Sequence, residues 1–242
     1  MLTQPPRTAS RFAPPAPGER PDDISGHRHR QVIGYLGLAL PILLVQFERL
    51  RPNAASDQWS GDSISAYYWT GAVSLFVGLL VALSLYLLTY RGYANDSHKY
   101  DRGAAIIAGT AAALVALFPT TPPHGIETTL PWWARWINVT HMAAAITLFS
   151  MFAVFSLWLF RKTAPGEQPT ADKKRRNNIY LLCGIGILVS MAWAVVARLS
   201  GGSIFWPESF ALVFFAVSWL VKGQALDSIK STIGAAKDRV TK

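Results

Sequence analysis

Six long apolar runs, separated by short loops that carry nearly all the charge, constrain this 242-residue chain more than anything else in it. A run of about 18 or more apolar residues is long enough to cross a hydrocarbon core of roughly 30 Å as a helix. Backbone amides in lipid find no water, so each run must satisfy its own hydrogen bonds, as a helix does. The fold class expected is therefore all-α, a polytopic membrane helical bundle. The expected spans are Val32–Phe47, Ala66–Tyr90, Gly103–Phe118, Ile137–Phe160, Ile179–Val196 and Phe205–Val221. Pro41 should kink the first. Hydrophobic content of 51% does not by itself separate this chain from a soluble one; its clustering does.

The loops suggest an orientation. Lysine and arginine concentrate on the cytoplasmic side of membrane proteins. Nineteen of the 23 lie in the N-terminal tail, the loops after the second and fourth runs, and the C-terminus; only Arg49, Arg51, Arg135 and Arg198 lie in the alternate loops. That split predicts six spans with both termini cytoplasmic. Trp69, Trp132, Trp133, Trp136 and Trp206 then form an outer aromatic belt, with Trp158 and Trp219 near the inner boundary. The net charge of +9 is explained by topology signals and anionic inner-leaflet lipids at the basic loops, and not by nucleic acid. The partners expected are membrane lipids; oligomeric state is left open.

The chain divides into three parts on this reading. Residues 1–31, rich in proline, read as a disordered cytoplasmic tail; 32–223 form the transmembrane domain; 224–242 form a cytoplasmic amphipathic tail, with Leu226, Ile229, Ile233 and Val240 at near-helical spacing. The third run is rich in alanine and should be the central, most enclosed helix, because small residues let backbones approach closely in lipid. Cys183, Gly184 and Gly186 suggest a second close contact. The single cysteine excludes an internal disulfide.

The unusual polar residues gather at the outer helix ends. Candidate pocket residues are Asp62, Tyr67, Tyr68, His124, His141, Arg198 and Glu208. Glu48 closes the first run, and Asn138 opens the fourth. Asp62 or Ser63 would cap the second helix, the tyrosines would join the belt, and Glu208 would favour its helix start or pair with Arg198. His141 lies one turn inside a span, where an ionisable group is costly and faces a bundle interior or cavity. Ser63 or Ser65 with His141 supplies the residue types of a nucleophile and its base, so these three are the catalytic candidates. No metal-ligand spacing, phosphate-binding glycine loop or dinucleotide fingerprint is present, so no metal and no cofactor is expected.

Three functions compete. One is a lipid- or small-ligand-binding protein with an outer polar pocket; the second is an intramembrane lipid hydrolase using serine and histidine. A small-solute transporter ranks last, because the spans carry few ionisable residues at depth.

The string Ser63-Ile64-Ser65-Ala66-Tyr67-Tyr68-Trp69-Thr70, the Tyr90-Arg91-Gly92-Tyr93 after the second run, Val115-Ala116-Leu117-Phe118-Pro119-Thr120 and His141 carry a resemblance. Over residues 32–223 the chain resembles the bacterial multipass proteins grouped as domain of unknown function 998, and more distantly the Frag1/DRAM/Sfk1-type membrane proteins. The resemblance implies a multipass protein of the bacterial inner membrane and no particular activity.

Overall fold

The first helix starts at Pro21, a residue whose fixed φ is pre-organised for the first helical position. The computed structural model describes residues 21–50, 62–92, 98–122, 130–162 and 170–224, with side chains described from residue 26 onward and for all of these except 98. Among them the chain is helical, without strands. The helices are α1 Pro21–Leu50, α2 Val73–Thr89, α3 His98–Leu117, α4 Arg135–Leu157, α5 Ala171–Leu199 and α6 Phe205–Lys222, with short 3-10 segments at Ser65–Trp69 and Leu159–Arg161.

Two expected boundaries need correction. The tail assigned to 1–31 ends by residue 20, since α1 covers the next eleven residues. His29 bonds the Tyr86 carbonyl at 2.7 Å and Gln31 donates to the Gly223 carbonyl at 2.8 Å, so this extension is packed on α2 and α6. The second run is not one helix from residue 66. Its first part is the 3-10 segment and a turn, leaving α2 with 17 residues, about 26 Å at the helical rise. Pro41 lies inside α1, which runs through it. The expected amphipathic tail lies outside the described residues, apart from its first position.

Five helices are long and apolar enough to cross a membrane, and α2 is a shorter apolar helix. Large apolar side chains stay on the surface of the bundle: Leu182, Val189, Val195 and Val196 on α5 are each at least 60% exposed. Soluble monomers rarely show apolar surface so continuous. The described residues thus have a multipass membrane architecture.

Each helix packs against its sequence neighbours, and α6 returns to α1, which closes a ring. Helix α6 also touches α4 across that ring. The expectation for α3 holds in part: it is not central, since it packs chiefly on α2 and α4, but with half of its apolar stretch buried it is, together with α6, the most enclosed of the five long helices. Helix α6 carries the largest interior rings, with Phe215 stacked on Phe152 of α4 at 3.6 Å and Trp219 5.1 Å from Phe155. Trp219 is fully buried and belongs to this core, not to a boundary belt. Small residues do set close contacts. A Cβ added at Gly109 of α3 would fall 2.7 Å from Leu88, and one at Gly184 of α5 would fall 2.4 Å from Leu157. Buried hydroxyls bridge helices, as is usual in lipid: Ser84 donates to the Gly109 carbonyl at 2.7 Å, and Ser156 donates to Ser218 at 2.8 Å.

The helix ends sort into two groups. The tryptophan-rich end holds the 3-10 segment Ser65–Trp69 and the ends of α3, α4 and α6 that bond to it or pack beside it. The basic end holds the start of α1, the end of α2 and the start of α3, together with the junctions around Phe160, Lys173 and Lys222.

Candidate functional site at the tryptophan-rich end

A 3-10 segment followed by a turn leaves backbone amides without helical partners, and near an apolar bundle these need acceptors. The sequence supplies them from distant helices. Glu208 at the start of α6 accepts from the Ile64 amide at 2.6 Å. Glu48 at the end of α1 is buried and accepts from the Ala72 amide at 2.9 Å, an amide shared with the Thr70 hydroxyl at 3.1 Å. The Asp62 carbonyl accepts from the Ile204 amide at 2.7 Å, while the Asp62 residue itself is exposed. Trp69 donates its indole N–H to the Thr120 carbonyl at 3.2 Å and stacks on Trp132 with ring centres 6.3 Å apart. Asn138 accepts from the Thr121 amide at 3.1 Å, holding the turn after α3 against α4.

His141 is 1% exposed and lies between two partners. Its Nδ1 faces the Phe118 carbonyl at 2.6 Å, and its Nε2 faces the Ser65 hydroxyl at 2.9 Å. A carbonyl only accepts, so Nδ1 carries the proton; in the neutral ring Nε2 is then left to accept from Ser65. Of the two candidate serines, only Ser65 meets the histidine. Ser63 instead accepts from the Ala66 amide at 2.9 Å and caps the 3-10 segment; the N-cap of α2 is Ala72.

The remaining candidates fall in different places. Tyr67 is fully buried, 6.3 Å from the Phe205 ring, and is a core residue, where a belt position had been expected. Tyr68 packs half-buried against Trp69 and Phe76. His124 lies outside the described residues. Glu208 gives its carboxylate to Ile64 and not to Arg198. Arg198 is exposed, and its guanidinium makes no hydrogen bond or ion pair among the described residues. No group of three His, Cys, Asp or Glu among the described residues is placed to hold a metal ion.

Beside this network lies a crevice of about 320 Å³ between α4, α5 and α6. Its walls are Met142, Ile146 and Phe149 on α4, Met191 and Val195 on α5, and Ala211 on α6, with Arg198 and Glu208 also on its lining. The packing explains the opening. Gly184 and Gly186, earlier along α5, let Leu157 and Phe214 approach to distances that exclude a Cβ, whereas the crevice lining from Ser190 to Leu199 contains no glycine. A second void of about 30 Å³ touches Ser65 and shares Ala145, Phe149 and Glu208 with the crevice. Sequence reading found Arg198, Glu208, His141 and Ser65, but missed the crevice, since apolar lining residues look like any other lipid-facing helix.

No family model, curated protein or solved structure matches this chain. The structure defines a class, a multipass helical membrane architecture with a lateral apolar crevice, and function rests on the site alone.

Proposed function

We propose that the protein binds a lipid, with an acyl chain in the α4–α5–α6 crevice and a polar or anionic headgroup at Arg198. The crevice carries this reading: it is apolar, near the lower size range of small-molecule pockets, and has on its lining a guanidinium without a partner among the described residues. Guanidinium groups near a helix end reach the membrane interface, where headgroup phosphates and carboxylates lie. Six spans with both termini cytoplasmic, in a bacterial inner membrane, complete the proposal and would put Arg198 at the outer leaflet. The resemblance to the domain 998 group is kept as a proposal of ancestry.

Native mass spectrometry of the protein released from gentle detergent tests it. Wild type should retain one lipid. Ala194→Trp, which fills the crevice, should lose it, and Arg198→Gln should retain it with less preference for anionic headgroups. Equal retention in wild type and Ala194→Trp would refute the reading.

The Ser65–His141 contact favours a second reading, hydrolysis of an ester held in the crevice. Hydroxyl and imidazole lie within the reach a nucleophile and base require, and the carbonyl of Phe118 fixes the tautomer. A carboxylate does not orient this histidine, and the amides beside Ser65 already have acceptors: Ala66 bonds to Ser63, and Ile64 bonds to Glu208. Oxyanion donors are therefore not at hand, and binding ranks above turnover. Ester cleavage by wild type that disappears in both Ser65→Ala and His141→Gln would reverse that order.

A further inference from the structure

Arg198 and Glu208 carry opposite charges on the lining of one crevice, yet they do not bond to each other. The reversal of the chain from α5 to α6 explains why they share an end. Arg198 lies in the last turn of α5 and Glu208 in the first turn of α6. Each sign suits its own helix dipole, a cation at a C-terminus and an acid at an N-terminus. The dipoles account for which charge sits where. They do not account for two opposite charges on one apolar wall staying apart, since ionised groups taken out of water are normally paired.

Both groups have bonding capacity left. The Arg198 guanidinium has no hydrogen-bond or ion-pair partner among the described residues. Glu208 gives one carboxylate oxygen to the Ile64 amide at 2.6 Å. Its other oxygen has no partner among the described residues and is not fully enclosed. Apart from Ser190, the rest of the lining is apolar or proline backbone. Ser190 lies eight residues before Arg198, about 12 Å along α5 at the helical rise. A ligand in the crevice therefore meets a fork of cationic donors and an acceptor oxygen at one end, with apolar walls beyond them.

We infer that the crevice selects an amphiphile whose headgroup carries an anionic group for Arg198 and, beside it, an ammonium that keeps an N–H for Glu208. The inference rests on the lipid-binding reading above and narrows its ligand class. A phosphate or carboxylate matches the planar donor fork of arginine. An ammonium N–H gives the second Glu208 oxygen a charge-assisted hydrogen bond. A purely anionic headgroup would set like charge against that oxygen, and a fully methylated ammonium has no N–H to donate. The class is thus a zwitterionic lipid of the phosphoethanolamine type.

Native mass spectrometry of the full-length protein with three phospholipids of identical chains tests it: phosphatidylethanolamine, its N,N-dimethyl derivative and phosphatidylcholine. All three keep the phosphate and the positive charge; the dimethyl form keeps one N–H and phosphatidylcholine none. Expected is retention of the first two within twofold of each other, and of phosphatidylcholine at least fivefold lower. Glu208→Gln keeps an acceptor for the Ile64 amide but presents an amide donor to the headgroup, and should bring the three lipids within twofold. Arg198→Gln should weaken all three alike and leave their order. Equal retention of all three by wild type would overturn the inference and leave the lipid-binding reading standing; retention of none would end both. A stepwise loss with each added methyl would assign the selection to headgroup bulk and overturn the inference too. So would a preference for phosphatidylethanolamine that survives in Glu208→Gln. If Glu208→Gln fails to fold, the dimethyl comparison in wild type carries the test.

Discussion

The two ends of the bundle bury ionisable groups in opposite ways. At the tryptophan-rich end, Glu48, Glu208 and His141 each bond to backbone: the amides of Ala72 and Ile64 and the carbonyl of Phe118. Their partners are fixed parts of the fold, so these side chains hold the 3-10 segment in place across α1, α4 and α6. At the basic end, Lys222 and Lys173 donate to one backbone oxygen, that of Phe160, and Lys222 lies close enough to Lys173, Arg30 and Arg176 to be repelled by them and to Asp101 to be attracted by it. The first end sets acids and an imidazole against backbone groups; the second sets like charges side by side. An ionisable residue in a membrane protein is a functional candidate by default, and the contrast shows that its partners decide, more than its depth.

Mutations can break or sharpen that contrast. The largest effect is expected at Glu208. Glu208→Leu leaves the Ile64 amide without its acceptor and should cost about 3 kcal/mol, whereas Glu208→Gln keeps an acceptor and should cost less than about 1 kcal/mol. Thermal unfolding in detergent measures both; equal losses would mean that charge matters at this end and the hydrogen bond does not. Next is Gly184→Val, which forces a Cβ against Leu157 at 2.4 Å and should destabilise by about 2 kcal/mol by overpacking. It should also spread the tightly packed part of α4 and α5, measurable as faster hydrogen exchange around Leu157. Glu48→Leu should cost only about 1 kcal/mol, because the Ala72 amide keeps the Thr70 hydroxyl. Smallest is Lys222→Gln. Relief of repulsion from three cations offsets the lost attraction to Asp101, so the change should stay within about 1 kcal/mol in ligand-free protein. A loss as large as that of Glu208→Leu would show that Lys222 is held by its partners as firmly as Glu208 is.

The helices were legible because lipid enforces long apolar runs: α5 and α6 contain their expected runs in full, α3 stops one residue short at Leu117, α4 stops at Leu157, short of the expected Phe160, and polar turns that hydropathy cannot see extend the helix starts of α3, α4 and α5. Those extensions matter. Arg30 has the sequence surroundings of a tail charge, yet it is buried because α1 starts at Pro21, and the prolines before that position hide the start. The break between Trp69 and Val73 was hidden because Ala66–Tyr90 is apolar throughout; the amide acceptors that stabilise the break, Glu48 and Glu208, lie at positions distant in sequence. Ser65 with His141 was within reach of sequence reasoning, as two polar residues at ends that topology places together. The crevice was not, since it depends on how far α4 and α5 diverge.

A structure of the protein in lipid nanodiscs tests the central claim most directly. Continuous density of an acyl chain between α4, α5 and α6, with its polar end at the Arg198 guanidinium, is the predicted result. A crevice closed by contact of Phe149 with Val195, or filled only by ordered water, would contradict it.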